Sequence, residues 1–404
     1  FKISIKDKEG IEMYDFKNAP HRKNQGCIKW DKADALYGCG VAENLLPMWI
    51  ADMDFAVAPP IVAALQKRVQ NLVFGYDFLT DEYYEAVIGW MKRRHNYEIQ
   101  KEWITFTPGI VTALHMAVNS VTEPGDEVLM CSPVYGPFFG ATTDEGRVLL
   151  DVPLHDEDGY YTMDWDAMEK AVTPKTRAML LCSPHNPGGR VWTREELEKL
   201  DAFCEKHNIF VIADEIHNDL VFSGEHIVYG NVSGHAKMNC IICTAPSKTF
   251  NLAGIQGSNI LIANEEVRKK FQAQVAKAHA SANIFAGPAT IAAYNEGEQW
   301  LDELIDVLRG NCQYFVDFIH EHCPELKVRM NEATYLMWLD CRGLGMTEEE
   351  LGKWFAEKVG IAANVGSWFG QTGTCFRRLN MACPRTFVED ACQRIEKAVK
   401  ELRK

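Results

Sequence analysis

One lysine lies in surroundings that are unusual for a charged residue. The apolar run NCIICTA (239–245) leads to Ser247 and Lys248, and no other charged residue occurs between positions 238 and 264. A lysine on a solvated surface usually has charged neighbours, so a surface position is the poorer interpretation here. An amine among small, uncharged residues is typical of covalent catalysis, in which it forms a Schiff base with a carbonyl group. We therefore interpret Lys248 as a reactive amine.

Other polar or flexible groups follow four further apolar runs. They are Gly109 after ITFT, Tyr135 after VLMCSP, Asn186 after MLLCSP, and Asp214 and His217 after FVIA. Each has an ordinary explanation when taken alone: packing for Tyr135, a turn for Asn186-Pro187-Gly188, and a helix cap or a metal ligand for Asp214. A metal site is the weaker of these, because no further His or Asp spacing completes a ligand set. We expect no metal.

The elements around these residues predict an α/β fold. The apolar runs that predict strands are WITFTPG, EVLMCSP, GRVLLDVPL, TRAMLLCSP, IFVIADEIH, NCIICTA and NILIAN. The stretches GIVTALHMAVNSV and TREELEKLDAFCEKHN predict helices, the second of them opened by a capping box at Thr193 and Glu196. Alternating strands and helices favour a mostly parallel sheet. Ligands bind at the carboxyl ends of the strands in such sheets, so the groups above should converge at one edge.

The C-terminal third has a different pattern. From about residue 264 helical stretches dominate, and LKVRM, TYLMWL and CFRRLNMA are short strand candidates. We predict a large α/β domain at 50–290 and a smaller α+β domain at 291–404. The segment 1–49 is predicted to pack with the small domain.

Composition excludes several classes of protein. The chain has 404 residues and a net charge of −14, which argues against nucleic-acid binding through a basic face. No apolar run approaches the length of a membrane span, and the charged N-terminus lacks the apolar core of a signal peptide. Thirteen cysteines are scattered through apolar stretches, which is typical of reduced thiols in a cytoplasmic protein. The pair Cys240 and Cys243 is interpreted as core packing.

The predicted set of groups matches the requirements of pyridoxal phosphate. This cofactor needs a lysine for its Schiff base and an acid that keeps its ring nitrogen protonated. An aromatic ring can stack on it, and an amide can bind its ring oxygen. The free N–H groups of a helix that begins after Gly109 can bind its phosphate.

Longer motifs carry a resemblance to a known family. SPHNPGGRVW, ADEIHNDLVF, APSKTFNLAG and RRLNMACPR resemble the fold-type I, aminotransferase-like pyridoxal phosphate enzymes over nearly the whole chain. Within that family LPMWIADMDF, IKWDK and DEIH resemble the C–S lyase branch of MalY/PatB-type cystathionine β-lyases. The resemblance implies a large domain of the PLP-dependent transferase type with a mostly parallel sheet, and a smaller α+β domain.

The resemblance also implies roles for individual residues. Lys248 would hold the cofactor, Asp214 would pair with its ring nitrogen, and Tyr135 would stack on the ring. Asn186 would bond the ring oxygen, with His217 near it. The residues implied to bind the phosphate are Gly109, Ile110, Val111, Ser247 and Tyr76, the last reaching from a neighbouring subunit of a homodimer. Arg378 would bind the substrate α-carboxylate, although Arg377 beside it leaves an ambiguity.

Some positions differ from the aminotransferase pattern. Gln256 stands where many aminotransferases have an arginine that binds the phosphate, and Ala245 stands where serine is common. His217 replaces the usual tyrosine after the aspartate. Phosphate binding should therefore depend on backbone N–H groups and on Tyr76.

The predicted activity is β-elimination from cystathionine or a related S-substituted L-cysteine, giving a thiol, pyruvate and ammonia. Lys248, Asp214 and Tyr135 would be the catalytic residues. Two alternatives stay open: transamination on the same scaffold, and an added regulatory role through a protein partner.

Overall fold

The computed structural model describes residues 5–6, 12–33 and 45–403. Parts of the predicted segment 1–49 and one of the thirteen cysteines lie outside these residues. A seven-stranded sheet forms the centre of the described fold. Its strands, in spatial order, are Ile104–Thr107, Ser258–Leu261, Cys240–Thr244, Phe210–Asp214, Thr176–Cys182, Glu127–Met130 and Val148–Asp151.

The sheet is mostly parallel, as predicted. Only Ser258–Leu261 runs antiparallel to its two neighbours within this sheet. All seven predicted strand runs form strands, and the carboxyl ends of the parallel strands lie along one edge. The sheet therefore gathers the residues that follow these strands.

Apolar side chains cover both faces of the sheet. Along Phe210–Asp214, Ile212 belongs to one buried cluster, while Val211 and Ala213 belong to another on the opposite face. This alternation explains why the strands are apolar throughout: a parallel sheet covered by helices on both faces has no solvated side.

Helices surround the sheet and make up much of the C-terminal third. The predicted capping box is present, since Thr193 Oγ1 accepts from the Glu196 N–H and the Glu196 carboxylate accepts from the Thr193 N–H. The α-helices are Ile28–Asp31, Pro59–Val69, Asp81–His95, Ile110–Val121, Pro137–Thr143, Trp165–Ala171, Arg194–His207, Gly234–Met238, Pro246–Thr249, Glu265–Lys277, Ala286–Glu296, Glu298–His322, Glu348–Trp354 and Arg385–Leu402. Shorter 3-10 helices are Lys101–Trp103, Tyr229–Asn231, Ala253–Ile255, Arg342–Leu344, Gly366–Phe369 and Gln371–Gly373, and a π-helix spans Phe355–Val359.

A second, antiparallel sheet lies in the C-terminal third. Its strands are Leu336–Asp340, Phe376–Asn380 and Asn364–Val365. Two of the three predicted strands, TYLMWL and CFRRLNMA, are found here. The predicted strand LKVRM is wrong: this stretch forms one isolated bridge, Lys327 to Asp340, because no second strand continues the pairing.

The N-terminal segment pairs with the C-terminal part of the chain. Leu46–Pro47 pairs in parallel with Ile361–Ala362. The predicted domain division stays a prediction, and its boundary at 290 falls inside the helix Ala286–Glu296. Two small hairpin-like sheets complete the described strands, Ile5–Lys6 with Glu12–Met13 and His155–Glu157 with Tyr160–Thr162.

The described cysteines are free thiols, and most of them are buried. Cys240 and Cys243 lie in a fully buried strand, where burial raises the pKa of both thiols. None of the helices in the described ranges is both long enough and apolar enough to span a membrane.

Candidate active site

A cavity of about 610 Å³ opens at the carboxyl edge of the central sheet. It brings together ten of the eleven residues that the sequence predicted for the site. They are Gly109, Ile110, Val111, Tyr135, Asn186, Asp214, His217, Ser247, Lys248 and Arg378. Tyr76 does not line this cavity.

Lys248 lies on a short helix, Pro246–Thr249, directly after the buried strand Cys240–Thr244. Its Nζ donates a hydrogen bond to the Ala51 carbonyl oxygen at 2.6 Å. Burial, with the positive charge of Arg378, lowers the pKa of the Lys248 amine to about 8. An amine with this pKa is partly neutral near pH 7, which is the form that acts as nucleophile or base.

Asp214 is the last residue of the strand Phe210–Asp214 and is 3% exposed. Its Oδ1 accepts from the backbone N–H of Ile216 at 3.2 Å. Burial raises the pKa of Asp214 to about 7, although this bond and the charge of Lys248 oppose the rise. The carboxylate is thus poised to ionise when a cationic group enters the cavity beside it.

Arg378 comes from the second sheet, so the cavity lies between the two sheets. Its guanidinium donates to Asn186 Oδ1 at 3.1 Å, to Asn364 Oδ1 at 2.6 Å and to the Trp49 carbonyl oxygen at 3.2 Å. Burial lowers the pKa of Arg378 to about 10. Among the described groups no carboxylate pairs with this guanidinium, which leaves it available for an anionic ligand.

The structure resolves the ambiguity between the two adjacent arginines. Arg377 is absent from the cavity lining and is fully buried, where its Nη1 donates to Glu348 Oε1 at 2.6 Å. Adjacent strand residues point to opposite faces, as the sequence predicts. Arg377 therefore supports the fold, and Arg378 faces the cavity.

The end of the cavity beside Gly109 is built from backbone. Gly109 has φ +106° and ψ 156° and precedes the helix Ile110–Val121. The first N–H groups of a helix have no partner within it, so those of Ile110 and Val111 are available to an anion. Gln256 and Ser247 also line the cavity. Because Gln256 is uncharged, this end of the cavity receives no positive charge from position 256.

Several lining residues were not predicted individually. Trp49 and Ala51 come from the motif LPMWIADMDF, whose resemblance to the lyase branch was the available signal. Asn364 and Trp368 lie in a stretch with no recognisable motif. Trp368 packs edge-on against Tyr135, with ring centroids 5.6 Å apart, and the ring of Tyr135 therefore has a fixed neighbour at the cavity.

Tyr76 lies outside the cavity on an exposed apolar segment. Its side chain is fully exposed, and Leu72, Val73, Phe74 and Phe78 are also exposed. Contiguous exposed apolar surfaces are typical of interaction sites. The structure therefore does not bring Tyr76 to the site of its own chain.

The cavity residues fit pyridoxal phosphate. The amine, the buried carboxylate, the Tyr135 ring and the helix N-terminus surround one space. In addition, His217 Nδ1 and Arg378 Nε are buried without a hydrogen-bond partner in the described part of the chain. Buried polar groups normally have partners, so these two atoms indicate a polar ligand. Burial lowers the pKa of His217 to about 3, and its imidazole is therefore neutral.

Known proteins of similar sequence and structure identify the family of this chain. A family model described as aminotransferase class I and II matches residues 50–395. The chain is 39% identical to cystathionine β-lyase PatB of Bacillus subtilis, over 95% of this chain and 99% of that protein. It is 33% identical to protein MalY of Escherichia coli, over 97% and 100% of the two chains.

Among solved structures, cystalysin from Treponema denticola, which contains a pyridoxal 5'-phosphate cofactor, is similar with a TM-score of 0.93. The two are 37% identical, over 96% of this chain and 100% of that one. The resemblance and the fold-type I architecture expected from the sequence are thereby confirmed. The chain belongs to the aminotransferase class I and II family.

Proposed function

We propose that this chain is a pyridoxal 5'-phosphate-dependent C–S β-lyase. Its substrate would be cystathionine or a related S-substituted L-cysteine, and its products a thiol, pyruvate and ammonia. The observation that carries the proposal is the full-length similarity to proteins named cystathionine β-lyase, at 39% and 33% identity. A C–S lyase of Staphylococcus hominis, 30% identical with a TM-score of 0.88, adds to this support.

The cavity residues supply a position for each part of the cofactor. Lys248 would hold it covalently, Asp214 would lie at the ring nitrogen, and Tyr135 would stack on the ring. Asn186 and the neutral His217 would lie near the ring oxygen. The phosphate would be bound by the N–H groups of Ile110 and Val111 after Gly109, with the hydroxyl of Ser247.

The chain's own residues account for the proton movements. When bound, the cofactor supplies an electron-withdrawing ring that stabilises negative charge at the substrate Cα. Arg378 would hold the α-carboxylate and so orient the Cα–H bond. Lys248, with its lowered pKa, would remove the α-proton as general base. Asp214 would hold the ring nitrogen in its protonated form.

Elimination then breaks the bond between Cβ and sulfur. The electron pair leaves with the sulfur, and the protonated amine of Lys248 or the hydroxyl of Tyr135 would supply a proton to the thiolate. Burial raises the pKa of Tyr135 to about 12, so this hydroxyl holds its proton at neutral pH. Addition of water to the remaining fragment gives pyruvate and ammonia.

We also propose a homodimer with shared active sites. The exposed apolar segment around Tyr76 has the character of an interface, and Tyr76 would bind the cofactor phosphate in the second copy. Cytoplasmic localisation is proposed from the free, mostly buried thiols of the described residues.

Transamination is the second candidate, because the family is that of the aminotransferases. A product assay separates the two activities. Release of pyruvate and free thiol from cystathionine without added keto acid is expected. Amino transfer that requires a keto acid, with no thiol released, would contradict the lyase proposal.

A further inference from the structure

A buried carboxylate lies directly behind the candidate active site. The side chain of Asp219 is 2% exposed and does not line the cavity. It accepts hydrogen bonds from three groups. They are Thr249 Oγ1 at 2.7 Å, His95 Nε2 at 2.8 Å and Trp90 Nε1 at 3.1 Å.

These bonds connect the two turns that carry the reactive groups. Thr249 follows Lys248 on the short helix Pro246–Thr249, and it is fully buried where Lys248 faces the cavity. Asp219 follows Asp214 by five residues, on the segment that also contains His217. The bond from Thr249 to Asp219 therefore joins the helix that carries Lys248 to the segment that follows Asp214. It does so on the side away from the cavity.

The other two bonds fix Asp219 to a third element. Trp90 and His95 belong to the helix Asp81–His95, and both are buried. Burial alone would raise the pKa of Asp219, but His95 and the Thr249 hydroxyl hold the pKa below its ordinary value. Asp219 thus stays ionised and accepts all three bonds at neutral pH.

We propose that Asp219 is a positioning residue that fixes Lys248 relative to Asp214 through the hydroxyl of Thr249. The backbone already holds the two strands together, since Asp214 pairs with Cys243 and the Glu215 N–H donates to the Cys243 carbonyl oxygen at 2.9 Å. Beyond these strand ends, the bond from Thr249 to Asp219 joins the segments that carry Lys248 and His217. A displacement of the amine by about 1 Å reduces catalysis strongly, since proton transfer depends on geometry. The inference rests on the proposed function, because it takes Lys248 as the cofactor-binding lysine.

The test compares Thr249→Val, which removes only the hydroxyl, with Thr249→Ser, which keeps it. The matched control is Thr142→Val, at a fully buried threonine that does not line the cavity. Its Oγ1 donates to the Phe138 carbonyl oxygen at a distance of 3.1 Å. Each protein is loaded with pyridoxal 5'-phosphate. The measurements are kcat and KM for cystathionine, the urea midpoint, and the visible circular dichroism of the bound chromophore, which reports how firmly it is oriented.

Thr249→Val is expected to lower kcat about tenfold or more with little change in KM. Its visible dichroism should fall by about half, while Thr249→Ser and Thr142→Val keep both properties. A Thr249→Val protein with the kcat or the dichroism of Thr142→Val would overturn the proposal. If Thr249→Val does not fold, Thr249→Ala serves the same comparison.

The outcome is separable from the proposed lyase activity. Wild-type protein that binds the cofactor but releases no thiol would contradict the proposed substrate class only. The dichroism comparison would still decide whether the bond from Thr249 to Asp219 positions Lys248, because it needs bound cofactor and no turnover.

Discussion

The two adjacent arginines show what a single residue contributes beyond its charge. Arg378 faces the cavity and binds two asparagine side chains, while Arg377 is paired with Glu348. A guanidinium binds a carboxylate in a plane through two N–H groups, whereas an ammonium is a point charge. Alternation along a strand predicts that the two point apart, but only the structure shows that Arg377 has a partner.

Arg378→Lys is therefore expected to raise KM and to lower kcat. Loss of a buried charge-assisted pair costs about 2–5 kcal/mol, so kcat/KM for cystathionine should fall roughly thirty-fold or more. Arg377→Lys is the matched control: it should lower the urea midpoint but leave kcat/KM nearly unchanged. Equal, small effects on kcat/KM, with turnover of amines that lack a carboxylate, would contradict the role of Arg378.

Asp214 allows a test that preserves shape. Asp214→Asn should fold and bind cofactor, but kcat should fall about 10²-fold or more, since the amide cannot stabilise a protonated ring nitrogen. Asp151→Asn is the control, because Asp151 also ends a strand and accepts from the Ser132 N–H at 3.0 Å without lining the cavity. Near-normal turnover of Asp214→Asn would contradict the role of Asp214 at the ring nitrogen.

The lowered pKa of Lys248 predicts how pH controls cofactor attachment. Only the neutral amine is a nucleophile, so the rate at which the cofactor-free protein reacts covalently should rise with pH. Burial and Arg378 lower the pKa to about 8, and the half-maximal rate is expected near that pH. Borohydride trapping at fixed times measures the rate, with pyridoxal as a control that lacks the phosphate.

Removal of the neighbouring positive charge should shift this profile. In Arg378→Met the Lys248 pKa loses a charge that lowers it, so the half-maximal rate should move to higher pH. A wild-type half-maximum near pH 10 would show that the amine has an ordinary pKa and is not in the buried position described.

At the scale of elements, local pattern predicted most of what the structure shows. Strands of the central sheet are apolar over their whole length because both faces are covered, and this signal is strong. The run LKVRM instead alternates apolar and charged residues, which is also a strand pattern, but it forms only one bridge, Lys327 to Asp340. A segment forms a strand only when a partner strand lies beside it, and the sequence of that segment alone does not show whether such a partner is present.

Gly109 precedes the helix Ile110–Val121, whose N-terminus is the proposed phosphate site. Its φ of +106° lies where side chains are rarely tolerated, although no atom lies within 4 Å of a Cβ added there. Gly109→Ala should therefore strain the backbone by roughly 1–3 kcal/mol and displace the helix N-terminus that is proposed to bind the phosphate. We expect weaker cofactor binding by fluorescence titration and a lower urea midpoint.

A second glycine provides the control for this prediction. Gly234 begins the helix Gly234–Met238, has no positive φ and has open space around an added Cβ. Gly234→Ala should leave cofactor binding unchanged. Unchanged binding in Gly109→Ala as well would mean that the helix N-terminus does not hold the phosphate.

At the scale of the whole molecule, the sequence could not predict which distant segments meet. The Ala51 carbonyl oxygen accepts a hydrogen bond from Lys248, 197 residues further along the chain. The Trp49 carbonyl oxygen accepts one from Arg378, 329 residues further along. Asn364 likewise joins the site through the pairing of Asn364–Val365 with Phe376–Asn380. Polar residues at strand ends could be predicted because the topology gathers them, whereas a backbone carbonyl such as that of Ala51 carries no side-chain signal.

The proposed shared site can be tested by mixing inactive chains. Lys248→Ala lacks the amine but keeps Tyr76, and Tyr76→Ala lacks the phenol but keeps Lys248. If Tyr76 completes the site of a second copy, each mixed dimer contains one intact site and one that lacks both groups. After full exchange at equal concentrations half of the dimers are mixed, so about one quarter of the wild-type activity per site should return.

Lys248→Ala mixed with Asp214→Asn is the control, because both residues line the cavity of one chain and no mixed dimer has an intact site. Exchange is verified with differently tagged copies. If exchange occurs and the Tyr76→Ala mixture stays as inactive as the control, Tyr76 does not act across an interface, and the proposal of a shared site is wrong.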